Sequence, residues 1–242
     1  GRPPSADRMF RCPKAAASRI SQAASGMVIV VEPFSGEVLA MAARPGFNPN
    51  RYSSYPSSRW RNRAVSDVFE PGSIFKIVTA AAALQERVVG VDELLDCGHG
   101  RIEIGTTVIN DHAIFDQLTF RQAVQRSSDI GMIRVAQRLG RANFSRYVRA
   151  FGFGATTGVS LPGESAGLLR PTERWSALSL PSMSFGQEIG VTGLQMTMAA
   201  AAVANGGYLM KPLLVRRVED AQGKPLRETK PLVVRRVLEP ET

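Results

Sequence analysis

The stretch from Phe69 to Leu84, F-E-P-G-S-I-F-K-I-V-T-A-A-A-A-L, limits what this chain can fold into more than any other. Pro71-Gly72-Ser73 opens a helix, Lys76 follows one turn later, and then come Ile77, Val78, Thr79, four alanines and Leu84 with no charge among them. A helix at a protein surface keeps a polar face, and this one has none, so it must be enclosed by other structure. Lys76 is therefore expected in a wall of the protein rather than on its outside. The pattern predicts a helix from Ser73 to a stop at Gly90.

A chain of 242 residues with 44% hydrophobic side chains fits one large domain or two small ones, with ample material for a core. The formal charge of +9 raises the question of nucleic acid. Only five of the thirty basic residues are lysines, and the longest basic runs are Arg216-Arg217 and Arg235-Arg236. Without a clustered stripe or interleaved aromatics, this reads as a solvated Arg-rich surface with no nucleic-acid partner. Attraction to anionic lipid head groups stays open. Cys12 and Cys97 make neither a metal-ligand cluster nor a disulfide framework, so no metal and no cofactor is expected, and their redox state stays open. No apolar run approaches the ~18 residues of a membrane helix. Gly1-Arg2-Pro3-Pro4 has no apolar segment behind it, so an export signal or anchor would lie outside this chain.

Residues 1–24 read as a polar lead-in with a short helical piece near residues 15–24, and residues 25–242 as the ordered domain. Met27–Val31 and Val38–Ala42 are apolar runs joined by a Pro- and Ser-Gly-containing turn, a hairpin pattern. Pro45–Trp60 reads as a loop. Thr119 and Gln122 form a T-x-x-Q capping box at the start of a helix. The helical pattern breaks at Ser127-Ser128-Asp129, whose side chains favour caps and can point into a site from a short connection. Gly140 ends the next helical stretch, Asn143–Phe151 follows as another helix, and residues 152–170 read as a Gly/Pro-rich loop. A helix over Thr192–Asn205 ends at Gly206-Gly207, and Gln222-Gly223-Lys224-Pro225 marks a second hairpin.

Ser73 and Lys76 are three apart, so on a helix they share a face. A serine hydroxyl becomes a nucleophile when a base takes its proton, and a desolvated lysine can be that base. The positive end of the helix favours an oxyanion forming beside the Ser73 amide. A lone S-x-x-K is common by chance, but here Glu70-Pro71-Gly72 precede it and an enclosed helix follows.

Phe69–Lys76 resembles the E-P-G-S-x-F-K segment of penicillin-binding proteins, a group marked by S-x-x-K, S-D-N and K-T-G motifs. Ser35-Gly36-Glu37-Val38-Leu39-Ala40-Met41, Asn62-Arg63-Ala64, Ser127-Ser128-Asp129-Ile130-Gly131, Phe151-Gly152-Phe153-Gly154, Leu161-Pro162-Gly163-Glu164 and Ser184-Phe185-Gly186-Gln187 are similar to class B transpeptidases, nearest the division type. The resemblance runs from about Ser25 to Thr242. It implies an α/β (α+β) penicillin-binding protein and serine β-lactamase-like fold, an antiparallel sheet flanked by helices, and a D,D-transpeptidase that cross-links peptidoglycan. On that resemblance Ser73 is the nucleophile, Lys76 its general base, Ser127 a proton relay to the leaving D-alanine, and Asp129 a substrate-binding residue. The implied partners are peptidoglycan stem peptides, β-lactam antibiotics and other division proteins, at the outer face of the cytoplasmic membrane through a segment absent here.

Two departures stand out. Asp129 occupies the place where the family carries Asn; an ionised Asp only accepts hydrogen bonds, and beside Lys76 it would hold that lysine protonated unless it points elsewhere. No Lys-Thr-Gly or Lys-Ser-Gly occurs in the 242 residues. In the family that motif lies on a strand past the region matching Thr242, so the later sheet strands are expected to be missing from this chain. A non-catalytic penicillin-binding scaffold of the division machinery is the alternative these departures favour. A Ser-His-Asp hydrolase is not, with only His99 and His112 and no G-x-S-x-G elbow.

Overall fold

A computed structural model describes residues 25–242; the lead-in and its expected helical piece lie outside the described residues. Strands β1 (Gly26–Val31) and β2 (Val38–Arg44) pair antiparallel, with Ile29 opposite Met41 and a bulge after Val30. Their turn is closed by the Glu32 carboxylate, which accepts from the amides of Phe34 (3.2 Å) and Ser35 (2.6 Å). The expected loop over Pro45–Trp60 holds two short 3-10 turns, Pro49–Ser54 and Ser57–Arg59, and leads to helix α1 (Arg63–Ser66).

The helix expected over Ser73–Gly90 is shorter and begins differently. A single 3-10 turn spans Gly72–Phe75, and the α-helix α2 runs only from Lys76 to Gln85. Its end is a Schellman-type closure, with the Val88 amide reaching back to Ala83 O at 3.1 Å and Arg87 in the left-handed region at φ 54°. Arg87 takes the place glycine usually fills, so the helix stops before Gly90, the glycine that the sequence offers as its end.

Strands β3 (Leu94–Asp96) and β6 (Gln117–Thr119) pair around an inner hairpin, β4 (Arg101–Ile104) with β5 (Thr107–Asn110). Helix α3 (Phe120–Gln125) starts at the capping box expected from Thr119 and Gln122. Helix α4 (Asp129–Ala150) breaks at Gly140, whose φ of 77° and ψ of 158° are not helical, so the two stretches read from the sequence are both present. Helices α5 (Ser179–Ser184) and α6 (Gly193–Ala204) follow, then β7 (Tyr208–Met210), the expected hairpin β8 (Arg217–Glu219) with β9 (Pro225–Glu228), and β10 (Val233–Arg236), which pairs with β7. All five sheets among the described residues are two-stranded and antiparallel.

Helix α2 separates two apolar clusters. Val78, Ala81 and Ala82 face one that includes Phe75, Phe144, Phe151, Phe153, Leu194 and Met198. Ala80 and Ala83 face the other, with Leu95, Ile102, Leu118, Phe120, Ile130 and Ile133. A helix packed on two sides needs small side chains for close approach, which is the physical reason for the alanine run. The expectation that it is enclosed is met: Lys76 is only 3% exposed.

Candidate active site

Ser73 is exposed on the 3-10 turn that precedes α2, and the Lys76 amide bonds back to its carbonyl. The turn is braced from one side by the segment around Ser184-Phe185-Gly186-Gln187. The Gly72 amide donates to Gly186 O at 3.0 Å, and Thr79, fully buried, donates from Oγ1 to Ser184 O at 2.8 Å. Phe69 and Val191 exchange backbone hydrogen bonds at 3.0 and 2.9 Å, and Glu70 Oε1 accepts from the Glu188 amide at 2.9 Å. Gly186 stands at φ 85° with no room for a side chain, because a Cβ there would lie 2.2 Å from Gly72 O. The turn that carries Ser73 is thus held on one side by contacts of its neighbours, while Ser73 itself is exposed.

Lys76, Ser127 and Asp129 meet at one point. Lys76 Nζ donates to Ser127 O at 2.5 Å and Ser127 Oγ at 2.9 Å, and lies 2.6 Å from Asp129 Oδ1. Ser127 thus takes two hydrogen bonds from the lysine, and the Asp129 carboxylate stands beside the same nitrogen as its counter-charge. Ser127 reaches this geometry through a left-handed backbone, φ 55°, between α3 and α4. That is a sparsely populated conformation for a serine and marks a position held by its surroundings. Of the two orientations weighed for Asp129, the one facing Lys76 is realised. The Ser73 hydroxyl makes no hydrogen bond among the described residues, so the lysine is turned toward Ser127 and Asp129.

Sequence reasoning missed Asp111, in the loop after β5. Its Oδ2 accepts from Ser128 Oγ at 2.6 Å, and its Oδ1 accepts from the Asp129 amide at 2.5 Å and more weakly from that of Ile130 at 3.4 Å. Ser128, fully buried, caps α4 by accepting from the Gly131 amide at 2.9 Å. The signal was faint: one Asp in Asn110-Asp111-His112, eighteen residues before the helix it serves. Beneath Ser128 lies the buried thiol of Cys97, pushed above the ordinary thiol range chiefly by burial.

The description of the family model that matches residues 26–242 is "Penicillin binding protein transpeptidase domain". The chain belongs to the penicillin-binding protein transpeptidase family. Among curated relatives, stage V sporulation protein D of Bacillus subtilis is 35% identical over 222 residues, covering 90% of this chain and 34% of that protein. Peptidoglycan D,D-transpeptidase FtsI of Escherichia coli is 35% identical over 199 residues, covering 82% of this chain and 33% of that one. The chain thus spans about a third of the length of these relatives. The crystal structure of penicillin-binding protein 3 from Mycobacterium tuberculosis, complexed with aztreonam, superposes with a TM-score of 0.84 at 33% identity, over 93% of this chain and 50% of that one. The fold is that of the penicillin-binding protein transpeptidase domain, as the motifs implied.

Proposed function

We propose that this chain carries the acylation centre of a peptidoglycan D,D-transpeptidase that acts in division at the cell envelope, with residues 25–242 belonging to its transpeptidase domain. The observation that carries the reading is the buried Lys76 amine, one helical turn past an exposed Ser73, meeting Ser127 at 2.9 Å. Ser73 Oγ attacks the carbonyl carbon of the D-Ala-D-Ala bond, its proton passes to the Lys76 amine, and the tetrahedral oxyanion forms beside the Ser73 amide. The C–N bond then breaks, and the departing D-alanine nitrogen takes a proton through Ser127. An amine of a second stem peptide attacks the ester, releases Ser73 and completes the cross-link. β-Lactams, which mimic the donor peptide, acylate the same oxygen.

In the resting arrangement Lys76 Nζ donates to Ser127 and lies beside Asp129 Oδ1, and among the described residues no hydrogen bond joins it to Ser73. Turnover on this reading requires that the amine turn from one of those contacts to the Ser73 hydroxyl and take its proton. These contacts also favour a second reading, a scaffold or pseudoenzyme of the division machinery that is not acylated. Intact-mass analysis and peptide mapping after incubation of the full-length protein with a β-lactam separate the two. A single adduct on Ser73, lost in Ser73→Ala, is the expected result. Adduct surviving in Ser73→Ala overturns the assignment of the nucleophile, and no adduct on the parent leaves the scaffold.

A further inference from the structure

We propose that Asp111 is the positioning residue of this site: from outside the three motifs, it sets where Ser127 and Asp129 stand relative to Lys76. This rests on Ser73, Lys76 and Ser127 being the acylation centre. The carboxylate fills a defined gap. The first amides of an α-helix have no intrahelical acceptor, and the Ser128 side chain serves only that of Gly131. Asp111 Oδ1 takes those of Asp129 and Ile130, while Oδ2 takes the Ser128 hydroxyl proton. An anion at the positive end of a long helix is placed where the helix dipole favours it.

The anchor behind Asp111 is firm. Its own amide donates to Gly100 O at 2.9 Å, and the Gly100 amide in turn donates to Cys97 O (2.9 Å) and Phe115 O (3.0 Å). Gly100 stands at φ 75° with its would-be Cβ 2.9 Å from Ala113 O, so the chain crosses itself tightly there. The β4–β5 hairpin therefore delivers the carboxylate at a fixed height. The Asp129 amide is tied to Asp111 while its carboxylate reaches Lys76 at 2.6 Å, so one residue spans both contacts. Ser127 precedes this pinned pair, and its left-handed backbone turns both its carbonyl and its hydroxyl onto Lys76 Nζ. Releasing the pair lets Ser127 relax out of that conformation, and the lysine loses two of its three partners together.

Three variants of the full-length protein decide this: Asp111→Ala, Asp111→Asn and Ser73→Ala, read by stopped-flow acylation with a fluorescent penicillin. Asp111→Ala is expected to lower the limiting acylation rate by about tenfold or more, with the half-saturating penicillin concentration moved less than about threefold. Asp111→Asn is expected to recover to within about threefold of the parent, because its side-chain oxygen still accepts from the Asp129 amide while its NH2 faces Ser128 Oγ. Hydrogen exchange at the Asp129 and Ile130 amides should quicken in Asp111→Ala, while exchange in α6 stays as in the parent. Parent-like acylation by Asp111→Ala, or no recovery in Asp111→Asn, overturns the proposal. Should the parent itself fail to label, the acylation reading falls, and unchanged exchange at Asp129 and Ile130 then overturns the positioning role as well.

Discussion

Asp129 is where the sequence and the geometry pull hardest against each other. Its carboxylate is 28% exposed and lies against an ammonium that is 4% exposed, so solvent screens one partner and not the other. With its carboxylate open to water the pair is partly screened, and such a pair is worth about 1 kcal/mol. Replacing it by Asn removes the charge and keeps an acceptor at the same place, so Asp129→Asn is expected to raise the acylation rate at neutral pH by about fivefold. Stopped-flow labelling checks this, and a large loss instead would mean that the carboxylate itself carries a proton in the reaction. Ser73 and Lys76 were legible because their spacing and the uncharged helix behind them are local features. Asp111 was not, because its contacts cross from the β5 loop to the start of α4, and no local pattern encodes that meeting.

Elements hold the site through two kinds of join. The first is backbone against backbone, where the Gly186 segment lies under the Ser73 turn. Gly186→Ala places a methyl 2.2 Å from Gly72 O and forces a positive φ on alanine, so a loss of about 2 kcal/mol or more in stability is expected. Penicillin labelling measured well below the unfolding transition should fall as well, since the displaced atom adjoins the nucleophile. Wild-type melting and labelling would show that the two segments can part freely.

The second join ties the end of α2 to the second half of α4. Glu86 Oε1 accepts from Tyr147 OH at 2.6 Å and from Arg146 at 2.8 Å, and those two contacts, Tyr147 first, hold its carboxyl below the ordinary range. Burial foremost, then Glu86, pushes the Tyr147 hydroxyl from 10.0 up to about 12. The folded state thus keeps a proton that the unfolded chain releases above pH 10.0, and the stability this supplies, fully present below that value, is lost as pH rises toward about 12. Glu86 acts in the opposite sense: its contribution is present above the ordinary carboxylate value and lost as pH falls. Tyr147→Phe is expected to lower stability at neutral pH by about 1 kcal/mol and to flatten the alkaline limb of a denaturation series from pH 9 to 12. An alkaline limb as steep as the parent's would assign that loss to another group.

At the scale of the molecule, sheet structure is thin where the site needs support. Hairpin β1–β2 leaves Val30 43% and Leu39 50% exposed, and a two-stranded hairpin is marginal unless it is packed on more structure. Helix α6 covers one face, so closely that a Cβ on Gly193 would lie 2.3 Å from the Met27 sulfur.

The sequence by itself determined the enclosed helix, its serine and lysine one turn apart, the capping box at Thr119, the hairpin at Gly223, and the break at Gly140. Each is decided within a few residues, by periodicity, by a cap, or by a backbone angle that only some side chains adopt. Only the tertiary structure decided that Asp129 faces Lys76, that Gly186 lies under Gly72, that β10 returns to pair with β7, and that Asp111 holds the start of α4. Those contacts join segments far apart in the chain, and their geometry depends on how two apolar clusters close on either side of α2. Burial is what turned Lys76 from an unusual letter into a side chain held between Ser127 and Asp129, and burial is a property of the packed molecule rather than of any stretch of it.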